Sequence, residues 1–185
     1  MAIRPPVTQA ALRLLSQVHS AYIGLGSNLG ESEDTLYRAL DDIATVPHTV
    51  LHQVSDLYRT APIDSSGPDY INAVARLATE LSAPDLLQAL QAIELNHGRA
   101  RPYRNAPRTL DLDILCYDDL VQDTTQLTLP HPRMHLRAFV LRPLLDIAPD
   151  MALHGHPINH WLVECDAQPI TLYRRYADRP DKKSK

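Results

Sequence analysis

Ser20 to Leu25 (SAYIGL) is a short, mostly apolar run that predicts a first strand, with the glycines of GLGSNLG as the turn after it. Leu36, Ala39, Leu40, Ile43 and Val46 then recur at helical spacing and predict an amphipathic helix. Val50–Tyr58 and Tyr70–Thr79 return to strand-like patterning on either side of the turn-rich APIDSSGPD. A second helix is bounded by Ser82, a capping residue with Asp85 three positions on, and by Gly98 as its stop, with Leu86, Leu90 and Ile93 on its apolar face. TLDLDILCY predicts another strand, and a third helix falls near the end of LPHPRMHLRAFVLRPL. The order β-α-β-β-α-β is that of a ferredoxin-like α+β sandwich, an antiparallel sheet with helices on one face plus C-terminal additions.

The chain of 185 residues suits one packed core, so residues 20–177 are expected to form a single domain, preceded by an extension at 1–19 and followed by a polar tail at 178–185. Ala10–Val18 of the extension is expected to add an amphipathic helix. No apolar run approaches the roughly 20 residues of a bilayer span, which excludes a helical membrane protein. A net charge of −4 argues against a dedicated nucleic-acid binder. Cys116 and Cys165 are the only cysteines and have no disulfide or zinc spacing, which fits a reducing, cytoplasmic compartment.

The glycines of YIGLGSNLG invite a nucleotide-loop reading, but Gly24, Gly26 and Gly30 give GxGxxxG, and Glu31, Glu33 and Asp34 at the helix start would repel a phosphate. No GxxxxGK[ST] occurs, which excludes a P-loop. A nucleotidyltransferase would need an Asp-x-Asp pair shortly after Gly26 and Ser27, and Asp41 and Asp42 are adjacent and diverge on a helix.

The chemistry lies further on. In RTLDLDIL, Asp111 and Asp113 share one face of a strand while Leu110, Leu112 and Ile114 share the other. Two carboxylates at that spacing repel each other unless a cation lies between them, and hard oxygen ligands suit Mg²⁺. RARPYRNAPR places four arginines in the ten residues Arg99–Arg108, immediately ahead of the pair. Arginine forks bind phosphate oxygens, so the combination points to a triphosphate site. Taken without the aspartates, the arginine loop is equally consistent with a solvated surface or an RNA-binding arm.

GSN at 26–28, YRTAP at 58–62, PDYINA at 68–73, IELNHGRAR at 93–101 and RNAPRTLDLDIL at 104–115, with LPHPRMHLRAFVLRPL, closely resemble the 6-hydroxymethyl-7,8-dihydropterin pyrophosphokinase family, in unbroken order over 22–149. The resemblance implies an ATP-dependent enzyme of folate biosynthesis that moves a diphosphate onto a reduced pterin and releases AMP. It implies two Mg²⁺ ions at Asp111 and Asp113, and catalytic arginines at Arg99 and Arg101 in a loop that closes over the substrates. Gln91, Glu94, Arg99, Arg101, Arg108, Ile114, His131 and Arg137 are implied for ATP. Asn28, Thr60, Pro62, Ile63, Tyr70, Asn72 and Phe139 are implied for the pterin. Tyr70 and Asn72 also fit physically: two apart on one strand, they offer a flat ring and a bifunctional amide. A soluble monomer acting on small molecules, with neither nucleic acid nor membrane as partner, is the corresponding expectation.

The chain departs from the family pattern at Asn105, where an aromatic is common, at Pro132, and in an arginine loop about one residue short. HGHPINH at 154–160 has metal-like histidine spacing without an acid or cysteine, and is read as a turn at the domain edge. A ferredoxin-like RNA-binding module is disfavoured by a single phenylalanine and no aromatic sheet motif. A catalytically dead regulatory module has no need of both aspartates and the arginine loop.

Overall fold

The computed structural model describes residues 17–62, 67–98 and 109–180. Its centre is a six-stranded antiparallel sheet in the order β10-β3-β4-β1-β5, with β2 also paired to β4. The strands are β1 (His19–Ser27), β2 (Thr49–Val54), β3 (Leu57–Thr60), β4 (Tyr70–Thr79), β5 (Asp111–Tyr117) and β10 (Ile170–Arg174). Two short hairpins, β6 (Gln122–Asp123) with β7 (Thr128–Leu129) and β8 (Ala152–Leu153) with β9 (His156–Pro157), lie outside this sheet.

Sequence pattern and layer assignment agree. Ala21, Ile23 and Leu25 on β1, with Ala73, Ala75 and Leu77 on β4, form one core with α1 (Ser32–Ile43) and α2 (Ala83–Asn96). Leu36, Ala39, Leu40 and Ile43 of α1 are fully buried there, as the helical spacing requires. The Ser82 hydroxyl accepts the Asp85 amide at the start of α2, and Gly98 takes φ +81° just past its end. The C-terminal additions cover the opposite face. Val74 and Leu115 pack there against Val140, Leu141 and Leu144 of α3 (Ala138–Ile147) and Ile158 of α4 (Ile158–Glu164).

Four details differ from the sequence pattern. Gly24 and Gly26 lie inside β1, which runs on to Ser27, rather than in a turn after it. The predicted strand Val50–Tyr58 is two strands, because Ser55 intrudes: its amide donates to Val74 O at 2.9 Å and its hydroxyl accepts the Val74 amide at 2.9 Å, taking the place of a backbone carbonyl in the ladder. β10 was not anticipated and pairs with β3 at the sheet edge. Arg179, in the tail, is held to α1 by Asp41 at 2.8 Å. The helix expected over Ala10–Val18 lies outside the described residues up to position 16, and Gln17 and Val18 are not helical.

Candidate active site

Strand register builds the site. Gly26 of β1 is paired on one side with Asp111 of β5 and on the other with Asn72 of β4. Directly opposed residues of an antiparallel ladder point to the same side, so Asp111, Gly26 and Asn72 form one rung on one face. The two backbones that carry Asp111 and Asn72 are two interstrand spacings apart, about 10 Å. Gly24 lies opposite Asp113 on the same face. The middle strand therefore presents two glycines, a bare floor between paired carboxylates and a polar amide. The floor is closely fitted: a Cβ on Gly26 would stand 3.2 Å from Asn72 Oδ1 and 3.9 Å from the Tyr70 ring, and one on Gly24 would stand 3.3 Å from Leu115.

Asn72 is buried and donates to Thr60 Oγ1 at 2.9 Å, which leaves its carbonyl oxygen toward Gly26. Tyr70 is paired with Thr60 across β3 and β4. Thr60, Ala61 and Pro62 continue into a cavity of about 260 Å³ whose other wall is Ala138, Phe139, Ala167, Gln168 and Pro169. Asn28 is buried at the end of β1 and donates to Pro68 O at 3.3 Å. Asn28, Thr60, Pro62, Tyr70, Asn72 and Phe139 are thus gathered at one end of the sheet face, whereas Ile63 lies outside the described residues.

On the carboxylate side, Asp111 and Asp113 are half-buried, with Leu112 and Ile114 turned into the opposite core. Glu94 on α2 is 1% exposed and accepts the Leu112 amide at 2.9 Å, so it holds the backbone between the two aspartates. Gln91, one turn earlier, is exposed. The His131 amide donates to Leu115 O at 2.8 Å and fixes the following segment along the edge of β5. Its Nδ1 accepts the Arg133 amide at 3.2 Å, so the neutral ring carries its proton on Nε2. Burial, with help from Arg137 and Arg133 and against Asp111, pulls the His131 pKa down to about 4, so the ring is neutral at pH 7. Arg137 lies over the Phe139 ring, 5.3 Å from its centroid, and links the two halves of the site. Arg99, Arg101 and Arg108 lie outside the described residues.

A divalent cation fits this donor set. Mg²⁺ takes one or two carboxylates and adds water and substrate phosphates, and Asp111 and Asp113, only half-buried, keep part of their surface open to such ligands. The candidate is the pair Asp111 and Asp113, and among the described residues no group of three or more potential ligands occurs. Asp41 and Asp42 are engaged elsewhere, with Arg179 and His97. The histidines of HGHPINH form the β8–β9 hairpin and the start of α4, where His156 and His160 stack beside Trp161. Sequence motifs gave no sign of Ala167, Gln168 and Pro169, because they follow the last block of the resemblance.

An antiparallel α+β sandwich that carries paired carboxylates on one sheet face, beside a mainly apolar cavity walled by Phe139, suits an enzyme that brings two small substrates together. The family model described as 7,8-dihydro-6-hydroxymethylpterin-pyrophosphokinase matches residues 22–149, and the chain belongs to that family of enzymes. A 2-amino-4-hydroxy-6-hydroxymethyldihydropteridine pyrophosphokinase of Pseudomonas aeruginosa is 44% identical over 155 residues, 83% of this chain and 96% of that one. The protein of the same name from Haemophilus influenzae is 44% identical over 146 residues, 78% of this chain and 91% of its own length. Among solved structures, a Plasmodium falciparum HPPK-DHPS triple mutant with SDX-DHP superposes with a TM-score of 0.64 at 14% identity, over 85% of this chain. This chain spans 46% of that larger protein, and the likeness supports the fold.

Proposed function

We propose that the chain transfers the terminal diphosphate of ATP to the hydroxymethyl group of 6-hydroxymethyl-7,8-dihydropterin, releasing AMP, as a step of folate biosynthesis. The pterin hydroxyl oxygen bonds to the β-phosphorus, the bond from that phosphorus to the α–β bridging oxygen breaks, and the hydroxyl proton is released. The observation that carries the reading is the shared rung: Asp111 and Asn72 flank Gly26 on one face, about two strand spacings apart, which suits a nucleotide on β5 and a flat ring on β4 meeting over the floor.

Asn72 Oδ1 and the Tyr70 ring orient the pterin, with Thr60, Pro62 and Phe139 at the cavity beside them, and the family motifs add Asn28 and Ile63. Asp111 and Asp113 would hold Mg²⁺, as two ions, with Gln91, Glu94, His131 and Arg137 on the nucleotide side and Ile114, whose side chain is buried in the core, contributing through its backbone. Neutral His131 offers its Nε2 proton to a phosphate oxygen without adding charge. Bound Mg²⁺ would supply neutralisation of the charge spread over the transferred phosphates. Arg99, Arg101 and Arg108 grip the phosphates, Arg99 and Arg101 acting in the transition state.

No helix among the described residues is long and apolar enough to cross a membrane. Cys116 and Cys165 are unpaired and buried, which supports a reducing cytoplasm as the working compartment. A monomer without nucleic acid is the working assembly. The test is AMP formation from ATP and Mg²⁺ with and without the pterin, with mass detection of the product. Pterin-dependent AMP and a pterin diphosphate are expected; AMP formation indifferent to the pterin would overturn the assignment.

A further inference from the structure

We infer that Gln168 is a positioning residue for the pterin, acting from the C-terminal segment through the backbone that carries Arg137 and Phe139; the inference rests on the proposed function. Residue 168 lies beyond 22–149, the part matched by the family model. Its side-chain carboxamide nevertheless reaches back about thirty residues and makes both of its bonds to one short stretch: Oε1 accepts the Ala138 amide at 2.9 Å, and Nε2 donates to Leu136 O at 2.9 Å.

These two backbone groups flank Arg137, which is extended, with φ −130° and ψ 106°. A strand neighbour would bond the same pair of groups on either side of one residue, so the carboxamide acts as a one-residue strand partner. It also supplies what the helix start lacks. Arg137 is the N-cap of α3 and provides no side-chain cap, so the Ala138 amide would otherwise be an orphan of the first turn on a residue 1% exposed. The clamp is anchored in turn: the Gln168 amide donates to Cys165 O at 2.9 Å, and Cys165 is buried against the second core.

Two side chains depend on that stretch. Phe139 follows the clamped amide directly and forms the cavity wall opposite Thr60 and Pro62, while Arg137 lies over its ring. Gln168, with Ala167 and Pro169, lines the same cavity. Loss of the clamp would free the α3 start to fray and let the Phe139 wall recede. Phe139 is one of two rings offered to the pterin, whereas Arg137 is one of several nucleotide contacts, so the effect falls mainly on the pterin.

Gln168→Met keeps the length of the side chain and removes both bonds. Pterin affinity is read by titration in the presence of Mg²⁺ and a non-hydrolysable ATP analogue, and nucleotide affinity separately. Wild type binds pterin, and Gln168→Met is expected to weaken it on the order of tenfold, because the loosened α3 start and Phe139 must be re-ordered on binding, while nucleotide affinity changes less than about threefold. Trp161→Phe is the control for general loosening of the same segment, since it removes only the indole bond to Leu153 O at 2.8 Å and is expected to leave pterin affinity unchanged. Equal losses in Gln168→Met and Trp161→Phe, or none in Gln168→Met, would overturn the positioning role with the proposed function standing. A wild-type protein that binds no pterin would overturn both.

Discussion

Gly26→Ala isolates the feature on which the site depends, the bare floor between the carboxylates and the pterin amide. Gly26 is in β1 with no positive φ, so alanine meets no backbone strain there, and it gains roughly 0.5–1 kcal/mol from the smaller entropy loss on folding. Its new Cβ would sit 3.2 Å from Asn72 Oδ1, tighter than ordinary contact, so the carboxamide must shift by a few tenths of an ångström. Asn72 and Thr60 are 4% and 6% exposed, so the 2.9 Å bond between them is shielded from solvent. Straining that bond costs about 1–2 kcal/mol, which the backbone gain largely offsets in the fold. Binding has no such offset, because the displaced oxygen is the one offered to the pterin. The expected result is a thermal midpoint close to wild type and a pterin dissociation constant raised roughly 5- to 30-fold. Gly30→Ala is the contrast: φ is +63° and no atom lies within 4 Å, so it should lose about 1 kcal/mol of stability and bind pterin normally. Undiminished pterin affinity in folded Gly26→Ala would refute the reasoning.

Asp113→Ala is expected to keep its fold, judged by circular dichroism, and to lose nearly all turnover; near-normal turnover would count against the carboxylate pair as the cation site. Arg101→Ala should lower kcat more than it raises the pterin KM, and an effect confined to pterin KM would remove Arg101 from the transition state. The depressed His131 pKa makes the ligand-free protein acid-sensitive: the unfolded chain takes up a proton near pH 6.5 while the folded ring resists until about pH 4, so stability falls as the pH drops through that window. Denaturant midpoints from pH 7 to 4 should show His131→Asn losing less than wild type, by on the order of 2 kcal/mol, and parallel curves would contradict the burial argument.

Much of the fold was legible because hydrophobic spacing and end signals coincide: Ser82, Asp85 and Gly98 bracket α2, and β4 spans the predicted Tyr70–Thr79. Gly24 and Gly26 misled for a physical reason. Glycine ordinarily punctuates turns, whereas here it keeps one strand face clear for other residues, a requirement visible only once β4 and β5 are paired on either side. Ser55 breaks its strand through a hydroxyl that imitates a carbonyl, which periodicity does not register. The shared face of Asp111 and Asp113 was evident from alternation, whereas the bond from the Leu112 amide to Glu94 has no signal in the spacing. Gln168 has no local signal, because its role exists only through contacts about thirty residues away in sequence.

The most direct measurement of the central claim follows ATP labelled at the β-phosphate and, in parallel, at the γ-phosphate through one turnover with the reduced pterin and Mg²⁺. Both labels in the pterin product, with AMP left unlabelled, are predicted. Transfer of the γ-label only, with the β-label retained in ADP, would contradict attack at the β-phosphorus and with it the account of how the two substrates meet over Gly26.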